Sequence, residues 1–292
     1  MSTTRRTLDA RPKDLVEVLR RARVEGMPIA LRAPAGTDAV LVRLVAGSDA
    51  TVTLDGHNSV AEIDGALTLS SAARRLERKG AIFPLARPLP PLSLAAACAA
   101  LPFFVDAFVQ QAQAVTFDGD LIDTPRAPRN AAGPSLLAAL CARPPLALAV
   151  RARVRVQLTT HAVVVKEEHA SPRDAAYRLR ALVDEGRAFC GDACGSTVLL
   201  LAGAGVARHS SAVSSPFTHE GRGRRASFSR SQSIAPGDVD AMADALEKGA
   251  RVVVAPFMGR AASLWRGFEA IPVSEVSRGV RDIADALARG VQ

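Results

Sequence analysis

The run Val60-Ala61-Glu62-Ile63-Asp64-Gly65-Ala66, continuing through Leu69–Leu76 to Gly80, sets the reading of the whole chain. Val60 to Ile63 is a short apolar run of strand type, and Asp64-Gly65 is a turn signal. Leu69 to Lys79 carries apolar residues at helical spacing and is closed by Gly80. Just upstream, Thr51–Leu54 is strand-like and is separated from Val60 by Asp55-Gly56-His57-Asn58, a strong turn signal. Further upstream lie Ala39–Val45 and Pro28–Ala33, two more strand-like runs parted by Pro34-Ala35-Gly36. Before them, Lys13 to Glu25 puts Leu15, Val16, Val18, Leu19 and Ala22 on one helical face, opened by Pro12 and closed by Gly26. A helix, four strands and a helix make a small α+β unit.

Working downstream, the proline-punctuated stretch Ala81–Pro91 is expected to be extended. Leu92–Val109 is the most apolar segment, but Pro102 and Asp106 interrupt it and basic flanks are missing, so it reads as buried rather than membrane-spanning. Ala114–Phe117 and Leu121–Ile122 read as a hairpin around Asp118-Gly119. A short helix over Gly133–Leu140 and a strand over Ala147–Leu158 follow. Residues 126–155 hold six arginines and no acid. Arg151, Arg153 and Arg155 alternate with apolar residues, so they share one strand face, and a solvated face is favoured over a dedicated anion site.

The last third has its own pattern. Ala162–Lys166 is a strand, and Ser171-Pro172 opens a helix to Glu185. Ser196–Ala202 is a buried strand with an expected partner from Val206, followed by a basic, serine-rich loop over Ser210–Ser233. A helix over Pro236–Lys248 and a strand over Arg251–Ala255 complete a β-α-β-β-α-β order, that of a ferredoxin-like unit. A final helix spans Glu275–Ala288, and no internal repeat is visible.

Composition bounds the function. The chain has 292 residues, of which 48% are hydrophobic, enough for one large core or two modest ones. Aromatics make up only 4%, which argues against a stacking platform for single-stranded nucleic acid. A net charge of +8 suits an acidic partner. Cys98, Cys141, Cys190 and Cys194 are too few for a disulfide scaffold, and no Cys/His spacing of metal-site type appears, so no metal is expected. The polar opening Met1–Asp14 lacks a signal-peptide core, and a soluble, cytoplasmic protein is expected.

Four stretches in order resemble the FAD-binding oxidoreductases with a PCMH-type flavin domain, such as vanillyl-alcohol oxidase and the FAD-binding subunit of glycolate oxidase. Asp14–Leu19 through Pro28–Arg32 resembles the family's opening helix and the strand before its first phosphate loop. Val60–Ala66 with Leu69–Leu76 resembles "V-x-AGxxLxxLxxxL", Ala114–Ile122 resembles "V-x-x-DGxxx", and Arg129–Leu136 resembles "KNVAGYDL". The resemblance implies an α+β chain in which a two-subdomain PCMH-type FAD-binding fold (residues 1–158) precedes a ferredoxin-like cap (159–272) and a C-terminal helix (273–292). It places FAD between the two parts of the first domain, with substrate beneath the cap. Arg32, Ala33, Ala35, Gly36, Thr37 and Gly133 then become the residues that touch FAD, and a second oxidoreductase subunit or other protein is the implied partner.

The chain departs from this family where phosphate should bind. A pyrophosphate bed needs unencumbered backbone N–H groups, which glycine-rich turns supply. The first loop has Pro34, which carries no N–H. The second loop is Leu94–Leu101, apolar throughout, and the third is Cys141–Ala147 with two prolines. No flavin-tethering His or Cys stands out: His57 reads as a surface turn residue. His161, His169, Glu167 and Glu168 read as a strand end rather than a general base. Catalytic residues stay unassigned. Two readings follow: an FAD-dependent oxidoreductase, or a subunit of one, moving hydride from a small hydroxy acid or alcohol to flavin; or a cofactor-less, non-catalytic partner or scaffold that keeps the fold. Nucleic-acid binding through the arginines and the basic loop is disfavoured.

Overall fold

The computed structural model describes residues 7–25, 29–30, 40–86, 92–116, 118–125, 136–142, 145–158, 162–185, 188–203, 228–256, 259–266 and 272–273. β1 (Thr7–Ala10) leads into α1 (Leu15–Val24), then β2 (Ile29–Ala30) and β3 (Val40–Leu44). Both β1 and β2 run parallel to β3. Leu15 and Leu19, one turn apart on α1, are fully buried, as their spacing predicts.

β4 (Val52–Asp55) and β5 (Val60–Asp64) form the hairpin expected around Asp55–Asn58. The Asp55 carboxylate accepts the Asn58 backbone N–H (3.2 Å) and Nδ2 (2.7 Å), and these bonds hold it below the usual carboxylate range. α2 (Leu69–Glu77) is capped by Thr68, whose Oγ1 accepts the Ser71 N–H at 3.2 Å, and it buries Leu69, Ala72, Ala73 and Leu76. After β6 (Ala81–Ile82), the apolar segment folds as two short helices, α3 (Leu94–Ala100) and α4 (Pro102–Phe108). Pro102 ends one and opens the other, since it cannot continue a helix but suits a first turn.

β7 (Val109–Thr116) and β8 (Leu121–Pro125) form the second hairpin, a 3₁₀ turn covers Leu136–Leu140, and β9 (Ala147–Arg155) runs on to β10 (Gln157–Leu158). The result is an antiparallel sheet in the order β4-β5-β9-β7-β8, with a small β10-β6 ribbon beside it. Its inner face packs on α2 and α3. At one end of its outer face, Val115, Leu148 and Val150 are covered by Leu15 and Leu19.

The rest of the described chain builds one six-stranded sheet. β11 (Ala162–Glu168), α5 (Pro172–Glu185), β12 (Ala188–Cys194) and β13 (Thr197–Gly203) come first. β14 (Phe228–Ile234), α6 (Val239–Glu247), β15 (Arg251–Ala255) and β16 (Arg260–Arg266) follow. The order is β11-β13-β12-β15-β16-β14, with every adjacent pair antiparallel. Each half is therefore a β-α-β-β unit whose third strand lies between two parallel ones, and the halves meet where β12 pairs with β15. This repeat of architecture is invisible in the sequence.

Four expectations change here. The pairing partners of β13 are β11 and β12, whereas the stretch from Val206 lies outside the described residues. β12 went unread because Gly191, Asp192 and Gly195 look like a turn. Gly191 is needed because a Cβ there would strike Leu179 and Leu182 of α5. The end of the basic loop, from Phe228, is strand β14. Finally, β17 (Pro272–Val273) pairs antiparallel with β2, so the chain returns to its first sheet. The helix expected over Glu275–Ala288 lies outside the described residues.

The junction of the two cap halves holds a buried ion pair. Arg251 donates from Nε to both Asp192 oxygens (3.0 and 2.8 Å) and also reaches Oδ2 through a terminal nitrogen, with Asp192 fully buried. Removing one partner strands the other charge in a dry interior, so Asp192→Ala should lower unfolding free energy by about 3–5 kcal/mol. The paired change Asp192→Leu with Arg251→Met should cost much less. Urea denaturation of the three proteins checks this, and equal losses would show the pair to be weakly coupled.

Candidate cofactor site

Of the residues assigned to FAD from sequence, Arg32, Ala33, Ala35, Gly36, Thr37 and Gly133 all lie outside the described residues. The structure therefore tests the site at its second and third loops. The second, Leu94–Leu101, is α3 and the residue after it. Of the N–H groups a helix start leaves open for an anion, those of Leu94, Ala95 and Ala96 already have acceptors. Leu94 donates to the Leu67 carbonyl (2.8 Å) and Ala95 to Gly65 (2.9 Å), while Ala97 makes the first bond internal to the helix, to the Ser93 carbonyl (2.8 Å). Ala96 donates to Ser93 Oγ at 3.2 Å. Leu94, Ala95, Ala97, Cys98 and Ala99 are all buried.

Gly65 anchors this arrangement. Its N–H donates to the Val150 carbonyl (2.7 Å) while its own carbonyl accepts from Ala95. A Cβ at this position would run into the Ala149 and Val150 backbone. The glycine of the "AG" motif is thus used for backbone-on-backbone packing against β9. In the third loop, Cys141 and Ala142 continue the 3₁₀ turn, Leu146 donates to the Ala139 carbonyl (2.9 Å), and Pro145 is buried.

The space beneath the cap is filled from within. α4 presents Phe103, Phe104 and Phe108, with Phe108 edge-on to Phe103 at a 5.7 Å centroid separation. These rings join one continuous core with Val164, Cys190, Leu201, Val253, Ala262 and Leu264 of the cap sheet. Asp192 and Arg251 share that sheet face with Cys190 and Val253, and each is the other's partner. The described second loop and cap floor do not fit a pyrophosphate or a flat ring. A dianion here would meet occupied donors and apolar side chains, an expensive burial.

The other singled-out residues are not brought together. His57 is exposed in the β4–β5 turn, and His161 lies outside the described residues. Glu167 is held by Arg178 through two bonds (2.8 and 3.2 Å), and His169 Nε2 stands 3.4 Å from it. Glu168 accepts from Thr197 Oγ1 at 2.8 Å. These groups sit at the end of β11, with Glu167 and Glu168 each held by a neighbour and His169 Nε2 buried without a hydrogen bond among the described residues. The arginine strand face is balanced by acids: Arg151 pairs with Glu62 (3.2 Å) and Arg153 with Asp55 (3.5 Å). Among the described residues there is no cluster of three metal-ligating side chains, and no helix is long and apolar enough to cross a membrane.

No protein-family model matches the sequence, and neither does any curated protein. Solved structures do. Bermuda grass pollen isoallergen BG60 superposes on 100% of this chain and 77% of its own, at 11% identity and a TM-score of 0.53. Xylooligosaccharide oxidase from Myceliophthora thermophila does so over 97% and 78%, at 12% and 0.53. A berberine bridge enzyme variant, a reticuline dehydrogenase, does so over 92% and 72%, at 11% and 0.55. The likeness is one of fold: an α+β chain of the PCMH-type FAD-binding architecture, as the sequence stretches implied.

Two thiols lie in this core. Burial pushes the Cys98 thiol up, and burial with the nearby Asp192 carboxylate pushes Cys190 up to about 12. Raised values mean the folded chain keeps protons that the unfolded chain gives up near pH 8.5. Their stabilising effect is complete below that pH and is lost as pH climbs toward the folded value. Stability should therefore fall by up to about 1.4 kcal/mol per pH unit per thiol above pH ~9. Urea titrations of the wild type and of a Cys98→Ala, Cys190→Ala double variant at stepped pH measure it. Parallel curves for the two would refute the assignment.

Proposed function

We propose that this chain is a non-catalytic protein on a flavoprotein fold, serving as a partner or scaffold for another protein. The observation that carries the reading is that the three N–H donors of the first turn of α3, those of Leu94, Ala95 and Ala96, are taken by protein acceptors. The backbone of non-glycine residues is able to cradle phosphate in principle, but here the donors of Leu94, Ala95 and Ala96 are already engaged. The net charge of +8 favours an acidic partner surface.

A second reading keeps the cofactor: an FAD-dependent oxidoreductase, or the FAD-carrying subunit of one, acting on a small hydroxy acid or alcohol. It is favoured by the superposition over 92–100% of the chain on proteins that include an oxidase and a dehydrogenase. In it, phosphate is held by donors other than those of Leu94, Ala95 and Ala96, or α3 shifts to release them.

The two readings part on one measurement. Purified protein should be colourless, should show no flavin absorption bands after incubation with excess FAD and desalting, and should gain no thermal stability from FAD. Retained flavin bands in about equimolar amount would overturn the non-catalytic reading. Photoreduction in the presence of hydroxy acids would then test the second.

A further inference from the structure

The outer face of the five-stranded sheet carries a cleft lined by no residue of the second or third loop. Beyond the apolar end covered by α1, strand register lines up polar residues in two rows. One row is Asp64, Arg151, Gln113 and Asp123; the other is Glu62, Arg153 and Gln111. Two adjoining cavities of about 270 and about 230 Å³ lie over these rows and share Gln113 and Arg151. The first is walled by Arg11 and Lys13, at the entry to α1, and by Asp49. Sites for small molecules run about 300–1,000 Å³, a range that only the joined cleft reaches.

The two ends differ in chemistry. At the α1 end three cations converge, and among the described residues Arg11 and Lys13 have no ion-pair partner. Of the two carboxylates there, Asp64 accepts the Ala66 N–H at 2.9 Å, and Asp49 stands exposed at the rim. At the other end the amides of Gln111 and Gln113 are half-buried and have no hydrogen-bond partner among the described residues. Each amide offers two donors and an acceptor. Arg151 and Arg153 are fixed by Glu62 and Asp55. A bare dianion would leave the amide bed unused, a neutral polyol would leave the cations unused, and no aromatic lines the cleft for a base to stack on.

We propose that this cleft binds a small polyhydroxylated anion of the sugar-phosphate class. The phosphate lies toward Arg11, Lys13 and Arg151, and the hydroxyls lie over Gln113, Gln111 and Asp123. The test is isothermal titration of the full chain with glucose 6-phosphate, glucose and inorganic phosphate at low salt. Glucose 6-phosphate should bind about tenfold or more tightly than either fragment, and salt should weaken it. Lys13→Ala and Gln113→Leu should each reduce its affinity about five- to tenfold. Circular dichroism establishes that each variant is folded, and Arg11→Gln replaces any that is not. No binding of glucose 6-phosphate, equal binding of phosphate alone, or variants that bind like wild type would each overturn the proposal. Flavin absorption read on the same samples keeps this outcome separate from the cofactor question.

Discussion

Everything in the first half of the molecule turns on the absence of a side chain at residue 65. Gly65 lies against the backbone of Ala149 and Val150, donates to one strand and accepts from the start of α3. That contact brings the segment after β6 close enough for a short ladder, Leu69 to Leu92 and Leu94 to Leu67, which seats α3 on the sheet. With α3 seated, Pro102 turns the chain directly into α4, and the phenylalanines of α4 meet the cap sheet. The N–H groups of Leu94, Ala95 and Ala96 close the core this way and are not offered to a ligand. The same geometry that completes the fold closes the second loop to phosphate.

Much of this fold was legible in the sequence, and for identifiable reasons. Helices α1, α2 and α5 announce themselves through apolar spacing and through Pro12, Gly80 and Ser171-Pro172. The two hairpins announce themselves through Asp55–Asn58 and Asp118-Gly119. What escaped was local structure made by distant contacts. β12 is built from small and polar residues that make sense only beside Leu179, Leu182 and Arg251. The helical state of Leu92–Val109 had readable signals in Ser93 as an N-cap and Pro102 at a first turn, but the low complexity of the alanines masked them. For the site, the apolar composition of the second loop was visible at once. The fate of its N–H groups was not, because their acceptors Gly65 and Leu67 lie almost thirty residues away.

Charge is distributed with the same logic. Arg151 and Arg153 of β9 pair with Glu62 and Asp55 on neighbouring strands, so that part of the arginine face is compensated where it folds. Exposed pairs of this kind contribute little individually. Their effect is to order side chains across the sheet surface. The Asp192–Arg251 pair is different in kind, since it is sealed at the one seam where the two β-α-β-β halves of the cap meet.

The pairing of β17 with β2 has a consequence for how the chain matures. The sheet that holds Ile29–Ala30 gains its β17 partner only once Pro272–Val273 has been synthesised, so the β2 edge stays open while all the strands between are made. Contacts so distant in sequence close slowly, while the cap halves, with their local β-α-β-β wiring, are able to form as they leave the ribosome. The last of the described strands thus returns to the first sheet, and a nascent chain stalled before it would expose the β2 edge to whatever binds unpaired strands in the cell.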